Sequence, residues 1–237
     1  MDIQKLSVVI PCYNEEQTLA DVVARVGAAD TAGLDMEMVV VDDCSGDRSH
    51  AIAQDLAAAD PRIRVFHHPV NQGKGAALRT GFAAAEGELV IVQDADMEYD
   101  PGDYAKLLQP ILAGEADVVY GSRFLDRSAT EAHYLIHGMA NRFLTGLSNV
   151  LTGLKLTDME TCYKLVPKYL LDQLTITENR FGIEPEITAK LAHMTPKPRF
   201  REVAVSYVNR SYEEGKKIGW KDGVSAIRCI LKFNLLR

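Results

Sequence analysis

The chain has 237 residues, 47% hydrophobic and 25% charged, with Gly and Pro scattered and no repeat or biased tract, which excludes fibrous, solenoid and disordered classes and fits one soluble globular domain. The net charge of −7 is uneven: from Lys197 to Arg237 ten Lys/Arg face four Asp/Glu, leaving that stretch at +6 and residues 1–196 at −13. A globally acidic chain with one basic end is a poor nucleic-acid binder and suits a phosphate ligand or an anionic lipid surface.

In chain order, short β-branched runs predict strands near Leu6–Pro11, Glu37–Asp43, Ile63–His67, Leu89–Asp94 and Asp117–Gly121, with helices between them. Glu15–Val26 sets Leu19, Val22, Val23 and Val26 on one stripe, and Gly75–Ala85 is rich in small residues that let a helix lie close on a sheet. This alternation predicts an α/β fold, a mostly parallel sheet with helices on both faces. Further on, His133–Leu151 and Pro185–His193 read as helices, Phe200–Val208 as a strand, and Asp222–Leu236 as a helix. That last segment lines up Val224, Ile227, Ile230, Leu231 and Leu235 beside Arg228 and Lys232; a basic helix lying on a membrane and a helix packed on its own domain both show such a stripe.

No apolar run approaches the roughly 20 residues of a membrane span, and Met1–Lys5 opens no export leader. Cys12, Cys44, Cys162 and Cys229 show no CxxC spacing and read as reduced packing residues. The expectation is a cytoplasmic protein, peripheral to the membrane if its basic end meets lipid.

Ligands of parallel sheets bind at the carboxyl ends of the strands. The first strand ends in Pro11-Cys12-Tyr13-Asn14-Glu15, the second in Asp42-Asp43, and the fourth in Asp94-Ala95-Asp96 with Glu98 beyond. Asp94, Asp96 and Glu98 alternate, a spacing that turns carboxylates toward one hard divalent ion, Mg²⁺ or Mn²⁺, which would bridge a diphosphate. The first strand does not run into GxGxxG, so a dinucleotide dehydrogenase is excluded. Asn71-Gln72-Gly73-Lys74-Gly75 lacks the Ser/Thr and the glycine spacing of an ATPase loop; it reads either as a plain helix start or as a turn that brings Lys74 near a nucleotide.

The runs Val8–Glu15, Val40–Asp43, Asn71–Gly75 and Asp94–Asp96 together resemble glycosyltransferase family 2, of the GT-A fold, over about residues 5–125. Gly121-Ser122-Arg123 and the run Asn209–Ile218, with an Arg and a Lys six residues later, are similar to its dolichyl-phosphate mannose synthase and polyprenyl-phosphate hexosyltransferase branch. The resemblance implies that Pro11, Tyr13, Glu15 and Asp42 line a nucleoside pocket, that Asp94 and Ala95 touch the donor, that Asp96 and Glu98 hold the metal, and that Arg123, Arg210 and Lys216 face phosphates. Two positions depart from that branch: Glu98 replaces a common Gln, and Glu160-Thr161-Cys162-Tyr163-Lys164 stands where Thr-Ser-Gly-Phe-Arg is usual.

The resemblance implies a single inverting transfer of a hexose from a nucleotide sugar, of the GDP-mannose or UDP-glucose type, to a lipid phosphate. The alternative is a soluble family 2 enzyme acting on a hydroxyl of a glycan or small molecule. A lipid phosphate arrives ionised and needs no base. A hydroxyl needs one, for which Asp158, Glu160 and Glu184 are the candidates. The expected organisation is one domain, with a nucleotide-sugar half over residues 1–125, an acceptor half over 126–210 and a basic extension over 211–237.

Overall fold

The β-branched runs assemble into a seven-stranded sheet in the computed structural model, which describes residues 2–125, 134–208 and 220–236. Its strands are β1 (Lys5–Cys12), β2 (Asp35–Asp42), β3 (Ile63–His67), β4 (Leu89–Val92), β5 (Val118–Ser122), β6 (Lys164–Pro167) and β7 (Phe200–Ala204), in the order β3-β2-β1-β4-β6-β5-β7. The α-helices are α1 (Leu19–Gly27), α2 (Ser49–Ala59), α3 (Lys74–Ala84), α4 (Tyr104–Leu112), α5 (Tyr134–Thr152), α6 (Lys168–Leu171), α7 (Ile183–Ala192) and α8 (Trp220–Leu235). Consecutive residues Leu6–Ile10 of β1 and Met38–Asp42 of β2 are buried, as strands covered on both faces require. All strand pairings are parallel except those of β6, which runs antiparallel between β4 and β5.

The expected strands and helices are present, most within two residues of their predicted limits. Three differences matter. Helix α1 begins at Leu19 rather than Glu15, because Glu15–Thr18 forms a turn in which the Thr18 and Leu19 amides both donate to the Glu15 carbonyl. Strand β7 ends at Ala204, and the remainder of the expected run leaves the sheet so that Tyr207 bridges to Tyr99. Strand β6 was not foreseen: four residues with Lys at one end and Pro at the other carry no alternation, and Pro argues against an interior strand. Its place in the sheet is nevertheless decisive, since it brings residues 158–164 beside the end of β4.

Helix α8 packs on α7 and α5 with Ala226, Cys229 and Ile230 buried, while Val224, Leu231 and Leu235 stay exposed. The apolar stripe is thus divided between core and surface. Arg228 Nη2 and Lys232 Nζ each lie 2.9 Å from the Glu178 carboxylate, anchoring the helix to the segment before α7. All four cysteines are free thiols, three of them buried. Among the described residues, no helix is long and apolar enough to cross a membrane.

Candidate active site

The carboxyl ends of β1, β2 and β4 meet where the chain order of the sheet reverses around β1, the position at which such sheets leave a crevice. Three non-glycine residues with left-handed backbone sit just beyond these ends: Asn14 (φ 52°), Cys44 (φ 61°) and Met97 (φ 64°). Each such conformation costs about 1–3 kcal/mol and persists where its surroundings enforce it. The enforcing bonds are visible. Gly46 N–H donates to Asn14 Oδ1 at 2.8 Å, Glu15 N–H to Ser49 Oγ at 2.8 Å, and Thr18 Oγ1 to the Ala95 carbonyl at 2.7 Å. The Pro11–Glu15 segment is therefore stitched to both neighbouring loops, with Tyr13 exposed at the rim and Glu15 buried.

Asp42 and Asp43 adjoin in sequence but part in space. Asp43 accepts from the amides of Gln72 at 2.9 Å and Gly73 at 2.6 Å and meets His68 Nδ1 at 2.7 Å, so it braces the glycine loop. Asp42, fully buried, turns toward His67 and His50. The glycines of that loop are required by close approach: a Cβ on Gly75 would fall 2.2 Å from the Glu178 carbonyl. Lys74, the first residue of α3, leaves this loop and reaches Asp94 Oδ1 at 2.7 Å and Glu184 Oε1 at 3.5 Å. Burial favours loss of its proton, but Asp94 and Glu184 outweigh that and hold the ammonium well above the usual lysine value.

In the acidic loop, Ala95 is buried and Asp94 is already neutralised by Lys74. Asp94 is held by Lys74, and Asp96 and Glu98 offer further carboxylates in the same loop. Burial, then the Asp94 and Glu98 charges, push Asp96 up to about 7, as like charges crowded in a buried loop do. The left-handed turn at Met97 lets Glu98 N–H reach Asp96 Oδ1 at 3.1 Å, and Tyr207 hydroxyl donates to Glu98 Oε2 at 2.8 Å. Hard oxygen donors of this kind suit Mg²⁺ or Mn²⁺.

On the far side, Arg123 Nε and Nη2 donate to the two oxygens of Asp158 at 2.7 and 2.8 Å, and Asn141 Nδ2 adds a third bond at 3.0 Å. Asp158 is fully buried and its carboxylate is committed to holding Arg123, whose guanidinium lies 5.1 Å from the Tyr207 ring centroid. Glu184 is likewise engaged, by Lys164 and Lys74. Glu160 differs: its Oε1 is shut off from solvent with no hydrogen-bond partner, and burial, only partly offset by Lys164, pushes the carboxyl up to about 7. Lys164 was not foreseen from sequence; a lone Lys inside the apolar run Cys162–Val166 is the signal that marks it. Arg210 and Lys216 lie outside the described residues.

The model of glycosyl transferase family 2 matches residues 7–175. The chain belongs to that family. Among curated relatives, this family 2 chain is 37% identical over 127 residues to a dolichol-phosphate mannosyltransferase of Pyrococcus furiosus, covering 54% of the chain and 35% of that protein. It is 32% identical to a polyprenol monophosphomannose synthase of Mycolicibacterium smegmatis, over 73% of the chain and 66% of that protein. It is 30% identical to an undecaprenyl-phosphate 4-deoxy-4-formamido-L-arabinose transferase of Edwardsiella ictaluri, over 90% and 63%. The chain thus spans about a third to two thirds of these relatives' lengths. Glucosyl-3-phosphoglycerate synthase from Mycobacterium tuberculosis, solved with Mn²⁺, UDP and phosphoglyceric acid, superposes with a TM-score of 0.71 at 23% identity, over 98% of this chain and 79% of that one. That likeness shows the fold: a mostly parallel mixed sheet of the GT-A type.

Proposed function

We propose that this family 2 chain moves a hexose from a nucleoside-diphosphate sugar to a polyprenyl phosphate. The observation that carries the proposal is the acidic loop, where Lys74 neutralises Asp94 while Asp96, pushed up to about 7, is left beside Glu98 at the switch point of the sheet. Asp96 and Glu98 would hold Mg²⁺ or Mn²⁺, which would supply Lewis-acid compensation for charge on the leaving diphosphate. Pro11, Tyr13, Glu15 and Asp42 line the nucleoside pocket, and Asp94 and Ala95 face the donor. The bond from the anomeric carbon to the diphosphate oxygen breaks, its electron pair leaving with the nucleoside diphosphate, as an acceptor phosphate oxygen bonds the opposite face of that carbon. A phosphate monoester has a second pKa of about 6 and needs no base. Arg123, positioned by Asp158, and Arg210 and Lys216 face the phosphates.

The lipid acceptor is supported by the names of the relatives above and by exposed apolar side chains on two helices that pack together, Met139, Phe143 and Val150 on α5 and Val224, Leu231 and Leu235 on α8. On this proposal the chain is one transferase domain working in the cytoplasm against the membrane surface, with residues 1–125 handling the donor, 126–210 the acceptor and 211–237 meeting lipid.

A specific observation favours a second reading, transfer to a hydroxyl. Of the three candidate bases, Asp158 and Glu184 are engaged by cations, whereas Glu160 keeps an unpartnered oxygen and a pKa of about 7, suited to accepting a proton. A donor panel of GDP-mannose and UDP-glucose, offered with polyprenyl phosphate and Mg²⁺ or Mn²⁺, separates the two. Release of nucleoside diphosphate that depends on the lipid phosphate supports the first; release only with a hydroxyl acceptor supports the second.

A further inference from the structure

The end of β2 carries a polar cluster of Asp42, His50 and His67, of which the proposed transfer uses only Asp42. Asp42 Oδ2 accepts from His67 Nδ1 at 2.8 Å and from the Ser45 amide at 3.3 Å. His50, from the first turn of α2, brings its own Nδ1 to 3.8 Å from the same oxygen, and the two imidazole rings lie 4.3 Å apart, centre to centre. Two atoms of this cluster, Asp42 Oδ1 and His50 Nδ1, are shut off from solvent and have no hydrogen-bond partner. A buried polar atom left unsatisfied costs about 1–3 kcal/mol. Two of them in contact side chains, one on a carboxylate that is wholly buried, mark a place that a ligand completes.

The donor set names the ligand. One carboxylate oxygen and two imidazole nitrogens lie within 4.8 Å of one another. Magnesium and calcium prefer oxygen donors alone, whereas imidazole with carboxylate suits zinc and its neighbours. A tetrahedral ion with bonds of about 2.0–2.1 Å spaces its ligands roughly 3.3 Å apart. The observed separations of 2.8 and 3.8 Å bracket that spacing, so small side-chain rotations complete the site.

We propose that Asp42, His50 and His67 bind one divalent ion of the zinc class, with water as the fourth ligand. The carboxylate side is closed, Asp42 being 0% exposed, while the His50 and His67 side chains are 32% and 42% exposed, so ion and water enter from the imidazole side. On binding, the proton between His67 Nδ1 and Asp42 leaves to solvent and the ion takes its place. Strand β1 separates β2 from β4, which sets this cluster about 10 Å along the sheet edge from the acidic loop. The two sites share no ligand. Because Asp42 is also assigned above to the nucleoside, the ion and the donor compete for it.

The test titrates the full chain with Zn²⁺ by calorimetry and with Co²⁺ by visible absorption. The expected results are one strong Zn²⁺ equivalent, the intense visible band of four-coordinate cobalt, and a loss of affinity of about tenfold or more in His50→Gln and in His67→Gln. Asp96→Asn, in the acidic loop, and Cys44→Ser, at the nearest partly exposed thiol, leave the affinity unchanged. A cobalt spectrum of the weak six-coordinate type on the unaltered chain overturns the proposal without any variant having to fold. So does Zn²⁺ affinity unchanged from the unaltered chain in both His variants, or its loss in Asp96→Asn or Cys44→Ser.

Discussion

Lys74 Nζ lies 2.7 Å from Asp94 Oδ1, and this ion pair joins the glycine loop before α3 to the acidic loop after β4. The same ammonium reaches Glu184 at the start of α7, so three loops converge on one charge. Lys74→Met leaves Asp94 without its cation. The expected loss is about 1–3 kcal/mol, the worth of a hydrogen bond to a charged group, read as a lower Tm. The double variant Lys74→Met with Asp94→Asn recovers much of that Tm but not the transfer rate. Recovery of both would remove Lys74 and Asp94 from the donor site.

Asp96→Asn lowers kcat by about 100-fold or more with the fold intact, since charge stabilisation of the leaving group is a large catalytic contribution. Its stability carries a further sign. A carboxyl raised from 3.8 to about 7 in the fold binds its proton more tightly when native, so the protein loses stability as pH rises from about 4 to about 7. The Asn variant escapes that loss. Without divalent ions its Tm exceeds that of the unaltered chain at pH 8 and matches it at pH 4, and Mn²⁺ closes the difference by raising only the unaltered chain.

Glu160→Gln distinguishes the two acceptors. With a lipid phosphate the rate changes little, because no proton has to be removed. With a hydroxyl acceptor kcat falls by about 10²–10⁴-fold, and in the unaltered enzyme the rate rises with pH through about 7 as Glu160 ionises.

Asp158 is expected to act through Arg123. Asp158→Ala strands a buried guanidinium and costs about 3–5 kcal/mol, measured by urea unfolding, whereas Asp158→Asn, which keeps an acceptor for Arg123, costs less. An Asn variant with unchanged stability and a large loss of kcat would instead make Asp158 the base.

The proposed membrane contact is expected to draw on the basic C-terminal stretch and on the exposed apolar side chains of α8. Sedimentation with anionic liposomes weakens as salt rises, because screening shortens to about 8 Å at physiological ionic strength. It is lost in Leu231→Ser with Leu235→Ser, which leaves buried Ala226, Cys229 and Ile230 in place. Binding that ignores both changes would assign the lipid contact elsewhere.

The sequence alone determined the β1–β4 core, the helices between those strands and the acidic loop, because their signals are local: alternating apolar runs, a stripe at helical spacing, and acids where strands stop. It also carried the family, since four short motifs recur in order. What it could not carry were relations between residues far apart in the chain. Asp42 and Asp43 look equivalent until the fold gives one to the imidazoles and the other to the glycine loop. Asp158, Glu160 and Glu184 are three acids in a row of candidates until Arg123 and Lys164 claim two of them and burial leaves the third. Strand β6 has too few residues to declare itself, and only pairing with β4 and β5 makes it a strand. Local patterning places the backbone, but which charge meets which is decided by long-range packing, where desolvation makes an unpaired group costly enough to dictate its partner.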